Sequence, residues 1–96
     1  MKIENTTSNG VSEVGNVTIQ YRINKDENGN AVNLNATMYS GLNIIGTANS
    51  DKLRVIGISF RENGLTNQER KDVVNQILDD IEETFNETES ATSSEE

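Results

Sequence analysis

Residues 17–40 read VTIQYRINKDENGNAVNLNATMYS, and their alternation decides the fold. Val17, Ile19, Tyr21 and Ile23 alternate with Thr18, Gln20, Arg22 and Asn24. This is the period of a strand with one buried face. Asn28-Gly29 follows, the dipeptide favoured in two-residue type I′ hairpins, where both central residues need positive φ. With that loop, Glu27 pairs with Asn30, and the register sets Ile23 against Leu34, Tyr21 against Ala36 and Ile19 against Met38. The opposite face pairs Asn24 with Asn33, Arg22 with Asn35 and Gln20 with Thr37. A slip of one residue would mix the two faces, so this register is the consistent one.

Working outward, the even-numbered face continues past Ser40 through Leu42 and Ile44, which predicts a long second strand bending at Gly41. A turn in 48–52, ANSDK, then leads into LRVIGISFR, with Leu42 meeting Ile58, Ile44 meeting Ile56, and Phe60 on the same face. Further on, Thr66 and Glu69 form a capping box, each side chain satisfying a first-turn amide of a helix. Val73, Val74, Ile77, Leu78, Ile81 and Phe85 recur at helical spacing and form its apolar stripe. The expected fold is therefore α+β: a three-stranded antiparallel β-meander with one C-terminal helix packed on one face. The domain spans 17–85. Residues 1–16 are a polar segment in which Val11 and Val14 extend the first strand if Gly15 marks a bulge. Residues 86–96 offer nothing to bury and read as a disordered acidic tail.

The net charge of −8 is concentrated at one end. Up to Leu78 eight acids meet eight bases, and the eight acids beyond it meet none. The body is neutral and carries no basic patch, which argues against direct nucleic-acid binding. There is no His and no Cys. Their absence removes the commonest general base, the strongest neutral-pH nucleophile, thiolate metal sites and disulfides. Neither a signal-type apolar segment nor a membrane-spanning run is evident, so a cytoplasmic location is expected. Asp26, Asn28 and Asn30 have the opening spacing of a calcium loop, but Gly29 falls at its fourth position rather than its sixth, and Thr37 stands where a bidentate Glu is needed. No catalytic residue, cofactor or metal site is expected.

Two surfaces remain as candidates for function. One is the sheet face away from the helix, where the register places Tyr39, Ile45, Leu53 and Val55 together as an exposed apolar cluster. The other is the acidic helix end of Asp79, Asp80, Glu82 and Glu83. Carboxylates there oppose the helix macrodipole and repel one another at i+3 and i+4, so local helix stability does not account for them. The expected function is non-enzymatic protein binding through one of these surfaces. Small accessory or inhibitory proteins of phages and mobile elements are of this size and charge. Two alternatives belong to other classes: a structural subunit that self-associates, as a homodimer for instance, through the sheet face, and an acidic nucleic-acid mimic that blocks the basic surface of a DNA- or RNA-binding protein.

Overall fold

The computed structural model describes residues 2–3, 8–61 and 64–93, with side chains described for 8–61 and 64–85. Its order is β1 (Lys2–Ile3), β2 (Asn9–Val14), β3 (Val17–Lys25), β4 (Ala31–Ser40), β5 (Asn43–Asp51), β6 (Ile56–Phe60) and α1 (Asn67–Ser93). The strands form one antiparallel sheet in chain order, with α1 against one face.

The fold class is α+β, but the expected three strands are too few. Among the described residues there are five strands of five residues or more, and β1 adds a two-residue edge. The first extra strand is β2, inside the segment read as polar. Gly15-Asn16 is a two-residue hairpin loop with Gly15 at φ 58°, and Val14 pairs with Val17. Gly15 therefore turns the chain rather than bulging a single strand. The second extra strand comes from Gly41, at φ 62°, which with Leu42 forms another two-residue loop and pairs Ser40 with Asn43. What looked like one bent strand is the β4–β5 hairpin. Its successor β6 pairs Ala48 with Ile58 and Ser50 with Ile56, replacing the expected partners Leu42 and Ile44.

The β3–β4 register is the one the alternation predicts, from Ile19 opposite Met38 to Asn24 opposite Asn33. Its turn differs. Asp26 N–H donates to the Asn30 carbonyl and Gly29 N–H to the Asp26 carbonyl, a three-residue loop that closes with a bulge. Gly29 alone has positive φ, at 84°, while Asn28 does not. The Asp26 carboxylate decides the matter by accepting the amides of Asn28 and Asn30 at 2.9 and 3.0 Å. A side-chain acceptor of this kind stabilises the loop from within.

The capping box is present: Thr66 N–H donates to Glu69 Oε1 at 2.8 Å, and Glu69 N–H to Thr66 Oγ1 at 3.1 Å. The helix runs past Phe85 to Ser93, where a disordered tail is expected from Asn86, and residues 94–96 lie outside the described residues. Val73, Ile77, Ile81 and Phe85 join Val17, Ile19, Tyr21, Ile23, Leu34, Ala36, Met38, Ile45 and Ala48 in the core. Leu78, expected in the stripe, is exposed. The buried arc is rotated from the predicted one and takes in Asp80 and Thr84 instead.

Candidate functional site

The rotation of the helix changes what the acidic cluster is. Asp79, Asp80, Glu82 and Glu83 lie in the middle of α1, since the helix continues to Ser93, so the C-terminal macrodipole does not act on them as expected. Asp80 is only 1% exposed. Its Oδ2 accepts hydrogen bonds from Ser12 Oγ and Tyr21 Oη, both at 2.6 Å, and its Oδ1 accepts one from Gln76 Nε2 at 2.9 Å. The Asp80 carbonyl also accepts from Thr84 Oγ1 at 2.7 Å. Burial first, and then the Asp80 carboxylate, raises the Tyr21 phenol well above its ordinary range, so Tyr21 stays a donor.

Glu82 is turned to a different internal use. Its carboxylate meets Arg54 Nε at 3.0 Å, and the Arg54 guanidinium lies 5.1 Å from the centre of the Phe85 ring. Arg54 occupies a left-handed conformation, φ 64°, at the β5–β6 turn. That turn repeats the Asp26 pattern: Asp51 Oδ1 accepts the amides of Leu53 and Val55 at 2.8 and 3.1 Å. Asp79 and Glu83 remain exposed. The four acids therefore do not present one surface to a partner.

The expected apolar cluster on the open sheet face does not assemble. Ile45 is in the core at 4% exposure, placed there by a bulge where Met38 pairs with Gly46 but Tyr39 pairs with Ile44. Leu53 and Val55, at 77% and 67% exposure, belong to the turn before β6 rather than to a strand. Tyr39 alone stays on the open face, half-buried and opposite Thr18.

The uncovered face is instead a polar lattice. One cross-strand row runs Asn9, Arg22, Asn35, Asn49, Gly57, and the next runs Val11, Gln20, Thr37, Thr47, Ser59. A third row sets Asn24, Asn33 and Asp51 side by side, with Asn24 Nδ2 donating to Asn33 Oδ1. Between β2, β3 and β4 the face dips into an open depression of about 640 Å³ whose lining includes Asn9, Val11, Gln20, Arg22, Asn35 and Thr37. Sequence reading fixed the β3–β4 part of this lattice without recognising it as a surface. Its other members needed β2 and the true course of β5.

Among the described residues no group of three or more acidic side chains lies placed to hold a metal ion, and no helix is long and apolar enough to cross a membrane. No protein-family model, curated protein or solved structure matches the chain.

Proposed function

We propose that this protein is a non-enzymatic binding domain that contacts another protein with the uncovered face of its sheet. The observation that carries this reading is the lattice itself: amide, hydroxyl and guanidinium side chains from five strands on one exposed surface. Side-chain amides offer both donors and acceptors, which match a polypeptide's own N–H and C=O groups. Among the lattice residues whose side chains are described, Arg22 is the only cation, and Lys2 stands in register with Val11 at the β1 edge; two cations are too few to hold a phosphate backbone. Strands spaced ~4.8 Å apart give the face a footprint of roughly 20 by 20 Å. That is about half of what one partner contributes to a standard interface, which favours a transient, hydrated contact.

The open, polar lining of the depression and the lack of His and Cys support a binding role over a catalytic one. A reducing, cytoplasmic setting accords with a chain that has no Cys. The acidic helix is the weaker contact, because Asp80 and Glu82 have partners within the fold.

Two sets of variants test the reading by affinity capture from the native host. In the first, Asn35→Lys and Asn49→Lys alter the face; in the second, Asp79→Asn and Glu83→Gln alter the helix. The expected result is a specific partner that the parent and the helix variant retain and the face variant loses. Retention by the face variant, with circular dichroism reporting an intact fold, would exclude the face as the contact.

A further inference from the structure

β6, Ile56–Phe60, ends the sheet, and among the described residues no strand lies beyond it. Arg61 N–H donates to the Ile45 carbonyl at 2.9 Å, in step with Gly46 opposite Phe60. In an antiparallel ladder, alternate residues direct both backbone groups to the same neighbour. Arg61 points to β5, so Ser59 and Gly57 do too. The N–H and C=O groups of Ile56, Ile58 and Phe60 then point away from the sheet.

Edges of this kind are normally blunted by Pro, by charges, by bulges or by a covering element. The chain has no Pro, β6 contains no charged residue, and its pairing with β5 is regular. Moreover, the edge is complementary to itself. With a two-fold axis at Ile58, Ile58 faces the partner's Ile58, Ile56 faces the partner's Phe60, and Gly57 faces the partner's Ser59. The residues whose backbone groups point outward are the ones brought into hydrogen-bonded pairs, with no change of register. On the core side the same register joins apolar to apolar, and it covers Ile56, which is 38% exposed.

We infer that two copies of this chain associate by antiparallel β6–β6 pairing across a two-fold axis at Ile58. The closed, isologous arrangement makes one continuous sheet, with both helices on one side and both polar lattices on the other. It is independent of the reading of the face, although it would present that face twice. Each copy carries a charge of −8, the whole excess lying beyond Leu78. Repulsion between copies therefore opposes the pairing, and added salt should strengthen it by screening that repulsion.

The experiment uses the full chain at increasing concentration. Sedimentation equilibrium should show the average mass rising from 10.6 kDa towards twice that value, more readily at high salt. Amide exchange at Ile58 should slow about tenfold or more once the dimer predominates, while exchange at Leu42 stays constant. Ile56→Lys should move dimerisation to a concentration about tenfold higher or more, by placing a charge in the apolar row. In a chain otherwise free of Cys, added glutathione disulfide, itself reduced to two thiols, should convert Ile58→Cys to a disulfide-linked dimer, because hydrogen-bonded antiparallel pairs bring Cα atoms to ~5.5 Å, while Thr47→Cys should not cross-link. A mass that stays at 10.6 kDa throughout would overturn the proposal. So would a dimer in which Ile58 exchange does not respond to concentration, a readout that needs no variant to fold.

Discussion

Asp80 shows how one side chain can read as surface and fold as core. Its carboxylate gathers Ser12, Tyr21 and Gln76 from two strands and its own helix. Removing it leaves those buried donors without their acceptor, so Asp80→Ala should lower stability by about 3 kcal/mol, while Tyr21→Phe, which deletes one hydrogen bond to a charged group, should cost about 2 kcal/mol. Urea titration of the two variants checks both values. The network also sets a pH dependence. In the unfolded chain Tyr21 ionises near its ordinary value of about 10, whereas the fold holds the proton to higher pH. The unfolded state thus binds fewer protons above pH ~10, and stability falls there by about 1.4 kcal/mol per pH unit while being fully present below it. Tyr21→Phe should remove this alkaline slope, and a slope equal to the parent's would show that Tyr21 does not titrate as described. None of this was legible in the sequence, because an Asp next to another Asp on a charged helix looks solvated. The available signal was the inward face of β2, where Gly10 and Ser12, with Ser8 just before them, are small enough to admit polar groups from the helix.

At the scale of elements, the alternation in 17–40 was legible because each side chain there obeys its face. The β4–β5 hairpin was not, for a physical reason. A two-residue loop at Gly41-Leu42 reverses which parity faces the core, and the bulge at Ile45 reverses it again. Even-numbered residues therefore face inward in β4 and again in β5 from Gly46 onward, as though one strand continued, although Ile44 itself pairs with Tyr39 on the open face. The cue was Gly-X at the turn, masked by an apolar Leu42 that is in fact 98% exposed. The turns can be tested by substitution. Gly29 and Gly41 have positive φ with open space where a Cβ would go, so Gly29→Ala and Gly41→Ala should each cost about 1–2 kcal/mol from backbone strain alone. Asn28→Ala should stay within about 0.5 kcal/mol, because only its backbone N–H is used. A large loss at Asn28 in thermal or urea unfolding would restore the type I′ turn.

For the whole molecule, every strand pairs with its neighbour in sequence, and long-range order enters chiefly through the helix. Ser12 and Asp80 are separated by 68 positions yet share one hydrogen bond. Sheet and helix bury their apolar faces only against each other, so they should unfold together: far-UV circular dichroism and Tyr fluorescence should give the same urea midpoint. Separate midpoints would mean that the sheet stands without its helix. By itself the sequence determined the α+β class, the β3–β4 register, the capped helix and the excess of charge beyond Leu78, because these follow from period, local hydrogen bonding and composition. Only the tertiary structure decided that Asp80 lies inside, that Glu82 is held by Arg54, and that the uncovered face is polar. Those outcomes depend on how the helix is rotated against the sheet and on where a bulge resets its faces, and both are settled by packing between segments far apart in the chain.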